Sequence, residues 1–383
     1  MPDLIYLDHA ATTRLRPEVR AAMAPFLDDL YANPSSVYRV AQTVRSKLDV
    51  ARDAVARALG ASPSEIIFTS GATESNNAAI KGVALAGQRR HLVTTAIEHH
   101  SVLHPMEELA ARWGFDLTVV AVGADGRVAP AAIESALRPD TALVSVMWAN
   151  NEIGTLQPIE EIGEILRARR IPFHVDAVQA VNYLPINLAT APIDLLSLSA
   201  HKIYGPKGSG LLYIRRGTSF FPLLTGGGQE RNRRAGTENV AGIMGFAEAL
   251  GLCSSDRPVA AARARRLRDR LLEELQSRIR DLRVNGSLHD RLPNNLNVTI
   301  PGCHSESLLV ALDLAGVVAS SGSACTSGSL DPSHVLLALG LSESEARSSL
   351  RLTLGRENTE TEMVRAAETI AGAASRLRRL APV

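Results

Sequence analysis

Leu195-Leu196-Ser197-Leu198-Ser199-Ala200-His201-Lys202-Ile203-Tyr204-Gly205-Pro206-Lys207-Gly208 is the stretch on which the reading of this chain turns. An apolar run of strand length ends in Ser-x-His-Lys and breaks into a Gly/Pro loop. A lysine is seldom placed at the inner end of an apolar strand for solubility. Desolvation or a neighbouring cation lowers the pKa of such an amine and readies it for a Schiff base. Ser199 and His201 flank it as donors suited to a phosphate. The alternative is a lysine whose stem snorkels to the surface.

Outward from this strand the texture repeats. Ile66–Phe68, Leu92–Thr94, Leu117–Val122, Leu143–Met147, Phe173–Val175 and Gly210–Ile214 also read as strands. Helical periodicity occupies 74–87, 101–113 and 158–169. Alternation of this kind predicts an α/β fold with a mostly parallel seven-stranded sheet flanked by helices. After about residue 250 an Arg/Leu-rich helix is expected over 258–280, followed by shorter strands and helices in an α+β pattern. Ser254-Ser255-Asp256-Arg257-Pro258 offers the break. The expected organisation is a large domain over 16–255 and a smaller C-terminal domain over 256–383. Residues 1–15 form an N-terminal segment expected to pack with the small domain.

A chain of 383 residues is long enough for two such cores. Its formal net charge of +1 gives no global field toward nucleic acid or membrane. No apolar run reaches the roughly 20 residues of a transmembrane helix, and the N-terminus lacks a signal-peptide pattern, so a cytoplasmic protein is expected. The three cysteines, Cys253, Cys303 and Cys325, are odd in number and lack zinc-ligand spacing. Neither a disulfide framework nor a metal site is expected.

In open α/β sheets ligands gather at the carboxyl ends of the strands, and three further ends here are polar. Ser70-Gly71-Ala72-Thr73-Glu74 turns from a strand straight into a helix, whose N-terminus favours an anion; the alternative is a plain capping box. His174-Val175-Asp176-Ala177-Val178-Gln179 ends a strand in a carboxylate, which is costly there unless a cation or several donors meet it. A protonated pyridine nitrogen is one such cation; a helix cap is the alternative. Trp148-Ala149-Asn150-Asn151-Glu152 pairs amides that suit a ring hydroxyl, a substrate carboxylate or an ordinary turn. Together with Lys202, these ends supply a phosphate cradle, a pyridinium partner and a Schiff-base lysine, the contacts that pyridoxal phosphate requires.

Carrying these features, the chain resembles the cysteine desulfurases of the NifS/IscS type, class V aminotransferase relatives within fold type I of the pyridoxal-phosphate enzymes. The resemblance runs nearly the whole length, through Tyr6-Leu7-Asp8-His9-Ala10-Ala11-Thr12-Thr13, Asn33-Pro34-Ser35-Ser36, Thr69 to Asn76, Glu98-His99-His100 and Asn150 to Gly154. It continues through Gly226 to Glu230, Arg233 to Asn239, Ser320 to Ser327 and Ser349-Leu350-Arg351. It implies that Lys202 holds the cofactor and moves protons at the substrate Cα, that Asp176 pairs with the ring nitrogen, and that Gln179 and Asn151 contact the ring hydroxyl. His99 stacks on the ring and serves in acid–base steps, and it is a candidate base for the Cys325 thiol. Ala72, Thr73, Ser199 and His201 bind the phosphate, with Thr237 reaching in from the second subunit of a homodimer. Arg351 takes the substrate carboxylate with Asn33 and Asn151. Cys325 attacks the sulfur of L-cysteine, leaving alanine and a persulfide for a protein sulfur acceptor or scaffold in iron–sulfur cluster assembly or another thiolation pathway. Its Ser, Gly and Ala neighbours make a stretch that can be mobile, which suits a thiol that visits the substrate and leaves.

Some features depart from the family pattern or carry a plainer reading. Tyr38 stands where relatives often have His, and His100 where some have Lys. The chain stops at Val383, short of the tail some relatives use to dock a scaffold. Cys253 and Cys303 read as packed small hydrophobes. Arg231, Arg233 and Arg234 and the basic helix near 263–270 invite a nucleic-acid reading, but charges alternate there and no aromatics interleave. Competing readings are a selenocysteine lyase, a persulfide carrier with secondary catalysis, and an aminotransferase, which leaves Cys325 without a role.

Overall fold

A computed structural model describes residues 4–321 and 331–380. In chain order the elements are β1 (Ile5–Tyr6), α1 (Pro17–Met23), α2 (Arg39–Leu59), β2 (Ile66–Thr69), α3 (Ala72–Ala86), β3 (His91–Thr95), α4 (His100–Trp113) and β4 (Asp116–Val120). Then follow α5 (Pro130–Ala136), β5 (Thr141–Met147), α6 (Ile159–Ala168), β6 (Phe173–Asp176), β7 (Leu195–Ser199) and β8 (Gly210–Ile214). After a single turn, α7 (Gln229–Asn232), come α8 (Val240–Arg278), β9 (Arg283–Val284), β10 (Asn295–Thr299), α9 (Ser305–Leu314) and β11 (Val317–Val318). The last are α10 (His334–Ala338), α11 (Glu343–Ala346), β12 (Ser349–Thr353) and α12 (Glu360–Leu380).

All seven expected strands form one sheet, in the order β2-β8-β7-β6-β5-β3-β4. Only β8 runs antiparallel to its neighbours, so the carboxyl ends of the other six open on one edge. β3, β5, β6, β7 and β8 are buried at every residue, as strands covered by helices on both faces must be. The helix α2 lies outside the three helical intervals expected above, although Ala41, Val44, Leu48, Ala51, Val55 and Leu59 make a buried stripe at helical spacing. Gly60, left-handed at φ 66°, ends it.

The helix expected to start at 258 starts at Val240 instead and passes through Pro258 without interruption. Proline removes one hydrogen bond and a long helix absorbs the bend, so the polar stretch before it is no break. Leu250, Cys253 and Ala264 of this helix face the core of the seven-stranded sheet. Leu267, Leu271 and Leu275 face a second core built on the β12-β10-β9 sheet, α9 and α12. Ile5 and Leu7 belong to that second core, and β1 pairs in parallel with β11. No described helix is long and apolar enough to cross a membrane.

One buried ion pair fixes how the 226–239 stretch meets the sheet. Glu230 accepts both Arg52 Nη1 and Nη2, at 2.8 and 2.7 Å, and the backbone N–H of Phe68. Glu230, Arg231 and Asn232 are all left-handed, with φ of 43°, 57° and 61°, a conformation that costs energy without glycine. Removing one partner leaves a buried charge uncompensated. Glu230→Ala is therefore expected to lower unfolding stability by roughly 3–5 kcal/mol, more than Arg52→Met combined with Glu230→Leu, as read from denaturant midpoints.

Candidate active site

Six of the sequence's candidate stretches converge on the carboxyl edge. A cavity of about 630 Å³ there is lined by residues that include Ala72, Thr73, His99, Asn151, Asp176, Gln179, Ser199, His201, Lys202 and Arg351. Five of the stretches follow from a strand ending, β2 delivering 71–73, β3 His99, β5 Asn151, β6 Asp176 and β7 Ser199 to Lys202, whereas Arg351 lies within β12. A larger cavity, about 900 Å³, opens at the opposite edge among Arg89, Arg167, Arg170, Arg215 and Arg216 and contains none of them.

At one end of the site, α3 begins at Gly71 with no side chain capping it. Glu74 turns back to accept from the Ser70 N–H at 2.8 Å and pairs with Arg234, so the alternative of a full capping box is not made. The helix N-terminus stays available to an anion. A Cβ built on Gly71 meets nothing within 4 Å, which leaves room for a ligand against the backbone. His201 lies across from it, its Nδ1 3.2 Å from Thr12 Oγ1. Burial, with help from Lys202 and Lys207, pushes its pKa down to about 4.

Lys202 Nζ donates to the carbonyls of Ala10 and Ala11 at 2.5 and 2.7 Å, and Gln179 Nε2 donates to Ala10 at 3.0 Å. The N-terminal strap thus holds the amine in the cavity. Asp176 is 7% exposed. Its Oδ1 accepts the Val178 N–H at 3.0 Å, as a cap would, and its Oδ2 accepts Asn76 Nδ2 at 2.8 Å. An anion site, an amine and a buried carboxylate in one cavity fit the phosphate, aldehyde and ring nitrogen of pyridoxal phosphate.

Arg351, 3% exposed, donates through Nη2 to Asp8 Oδ1 at 2.8 Å and through Nη1 to the Asn151 carbonyl at 3.1 Å. Its Nε has no hydrogen-bond partner among the described residues. Asn33 and Thr237 are not brought to the cavity: both are exposed, and Asn33 Oδ1 instead accepts the Ser35 N–H at 2.9 Å. Cys325 lies outside the described residues. Cys253 and Cys303 are buried, and burial raises both thiol pKa values, that of Cys253 to about 11.

The sequence reading missed four polar residues behind this site: Asn76, Ser101, Asp8 and Glu152. Asn76 shares the 76, 79, 80, 83 stripe of α3 with Ala79, Ile80 and Val83, a polar residue on a core-facing row. That was a legible signal. Glu152, buried, accepts Ser333 Oγ at 2.5 Å. This contact and a hydrogen bond between His334 Nε2 and the Glu98 carbonyl at 3.0 Å tie the start of α10 to the site.

The aminotransferase class-V family model matches residues 5–365. The chain is similar to the cysteine desulfurase IscS of Dictyoglomus turgidum, at 47% identity over 99% of this chain and 96% of that one. It is similar to the cysteine desulfurase IscS of Methanosarcina thermophila at 48% identity over 99% and 94%. A solved NifS-like protein superposes with a TM-score of 0.91 at 37% identity, covering 97% of this chain and 99% of that one.

Glu98, next to His99, yields a pH test. Its Oε1 accepts Thr95 Oγ1 at 2.6 Å and the Met147 N–H at 3.0 Å, while Oε2 is buried without a hydrogen-bond partner among the described residues. Burial, reinforced by Asp176, raises its pKa from 4.5 to about 8. The folded state then binds a proton that the unfolded state releases above 4.5, so stability from this group is present below 4.5 and lost as pH rises to about 8. Relative to Glu98→Gln, the wild type is expected to lose stability steadily across that window in urea titrations. A pH-independent difference would contradict the raised pKa.

Proposed function

We propose, for a chain that belongs to the class-V aminotransferase family and acts as a pyridoxal-phosphate-dependent cysteine desulfurase, that Lys202, Asp176, His99, Arg351 and Cys325 carry its chemistry. The observation that carries this reading is the single cavity holding Lys202, the buried Asp176 carboxylate and the uncapped start of α3. Bound there, pyridoxal phosphate supplies an electron sink that lets the substrate Cα release and regain a proton.

Lys202 is the covalent anchor and carries the Cα proton. Asp176 keeps a proton on the ring nitrogen by offsetting its charge in a buried place. Ala72, Thr73, Ser199 and His201 hold the phosphate, and Asn151 and Gln179 the ring hydroxyl. Arg351 takes the carboxylate of L-cysteine as a planar bidentate donor; Asp8 holds it for that task, and Asn151 assists. The Cys325 thiolate attacks the substrate sulfur. As the S–S bond forms, the Cβ–S bond breaks and its electron pair stays on carbon, which takes a proton and leaves as alanine. The persulfide on Cys325 passes to a sulfur acceptor, in iron–sulfur cluster assembly or another thiolation pathway.

The active unit is a homodimer in which Thr237 completes the partner's phosphate site. Among the described residues, Tyr31 and Val37 are 80% and 92% exposed, and Leu27, Tyr38 and Phe221 are exposed as well, large apolar side chains that a partner subunit would cover. Thr237 is likewise exposed and away from its own cavity. The large and small domains divide within α8, where its buried face passes from the larger core at Ala264 to the smaller one at Leu267, with residues 1–15 serving the small one. A cytoplasmic location suits the enzyme, since a reducing compartment keeps a reactive thiol free.

With L-cysteine and a reductant, the wild type is expected to release alanine and sulfide in equal amounts. Cys325→Ala should keep the cofactor's absorbance but form almost none of either, and undiminished product would remove Cys325 from the mechanism. Arg351→Lys, which loses the bidentate fork, is expected to raise the KM for cysteine roughly 10–100-fold, the worth of a charge-assisted hydrogen bond. An unchanged KM would argue against its carboxylate role.

A further inference from the structure

A buried chain of hydrogen bonds behind His99 determines which of its ring nitrogens carries the proton. His99 caps α4, and the backbone N–H of Ser101 points at its Nδ1 at 3.1 Å. A backbone N–H only donates, so Nδ1 is an acceptor. Ser101 Oγ lies 2.7 Å from the same Nδ1 and 2.8 Å from Asn76 Nδ2. Asn76 Nδ2 is also 2.8 Å from Asp176 Oδ2.

The donors can be counted from the other end. The Asp176 carboxylate only accepts, which orients the Asn76 amide with its nitrogen toward it. The second hydrogen of that nitrogen goes to Ser101 Oγ. The single Ser101 O–H is then left for His99 Nδ1. Both counts agree, and every hydrogen is used once. Asn76 and Ser101 are buried at 0% and 8% exposure, so water does not compete for these bonds. His99 Nε2 has no hydrogen-bond partner among the described residues, and the ring lines the cavity.

We propose that Asn76 and Ser101 are positioning residues that lock neutral His99 as its Nε2–H tautomer, so that the ring meets cofactor and substrate as a hydrogen-bond donor and not as a base. Burial, with Lys202, His334 and His104 adding to it and Asp176 opposing, holds the His99 pKa below the ordinary imidazole value, in keeping with a neutral ring. A neutral ring with a proton on Nε2 and two donors on Nδ1 has no free lone pair for the thiol proton of cysteine. Another group must take that proton, and His99 contributes its Nε2–H as a hydrogen-bond donor, keeping the proton throughout. The chain also links the two faces of the site: the carboxylate that stabilises the ring nitrogen fixes, through one amide and one hydroxyl, the proton position on the stacking histidine.

This inference rests on the placement of His99 at the cofactor, but its test does not rest on turnover. Protein labelled with ¹⁵N-histidine, with and without cofactor, is examined by two-bond ¹H–¹⁵N correlation at neutral pH, and His99 is assigned from a His99→Gln spectrum. His99 should show the Nε2–H pattern in both forms. Ser101→Ala removes one of the two donors to Nδ1 and should shift the tautomer ratio about fivefold toward Nδ1–H, the worth of one hydrogen bond; Ser101→Thr should restore it. A wild-type Nδ1–H ring or an imidazolium overturns the proposal, as does a ratio that Ser101→Ala leaves unmoved. Should Ser101→Ala fail to fold, the wild-type spectrum decides alone. A correct tautomer in a protein inactive on cysteine would overturn the desulfurase reading and leave this one standing.

Discussion

A carboxylate buried at the end of an apolar strand must be compensated, and much of this site follows from that constraint at Asp176. The strand β6 is buried at every residue, and its last residue is an acid. Two donors from the protein, the Val178 N–H and the Asn76 amide, offset part of the charge. The remaining deficit favours a cation in the cavity, and a protonated ring nitrogen is suited to supply it. The same Asn76 reaches Ser101 and through it His99. The acid at the strand end thus also organises His99, with two residues between them in the same chain of hydrogen bonds.

A second organising element is the Ile5 to Thr13 strap. Its β1 strand pairs with β11 and its Leu7 lies in the smaller core. Its Ala10 and Ala11 carbonyls hold Lys202, and its Asp8 holds Arg351. Arg351 sits on β12 of the three-stranded sheet, whereas Lys202 follows β7 of the seven-stranded one. The strap therefore fixes the amine and the guanidinium relative to each other, although they belong to different sheets. Asp8 also occupies part of the Arg351 guanidinium and offsets its charge. A buried arginine without such a partner would be costly.

The seven strands were legible because each is a short β-rich run bounded by turn residues, and several cavity-lining residues because they follow the ends of those runs. Lys202, Asp176 and Thr73 each stand where an apolar pattern stops at a residue the strand itself does not need. The long helix α8 was not read correctly. Its polar Ser254 to Pro258 stretch matches a break in composition, yet packing on both cores carries the helix through. The helix α2 shows the opposite case, a sound apolar stripe that lies in a stretch dense with charge.

What the sequence by itself determined is the inventory: an α/β sheet, the strand ends that hold reactive groups, and a family resemblance that runs the whole length. Tertiary structure alone decided the partnerships. Asp8 and Arg351, Arg52 and Glu230, and the run from Asp176 through Asn76 and Ser101 to His99 join residues far apart in the chain. Spacing along a strand or helix constrains neighbours within one element. It carries no information on which buried donor meets which buried acceptor across elements, because the order of strands and the packing of helices over them set those distances.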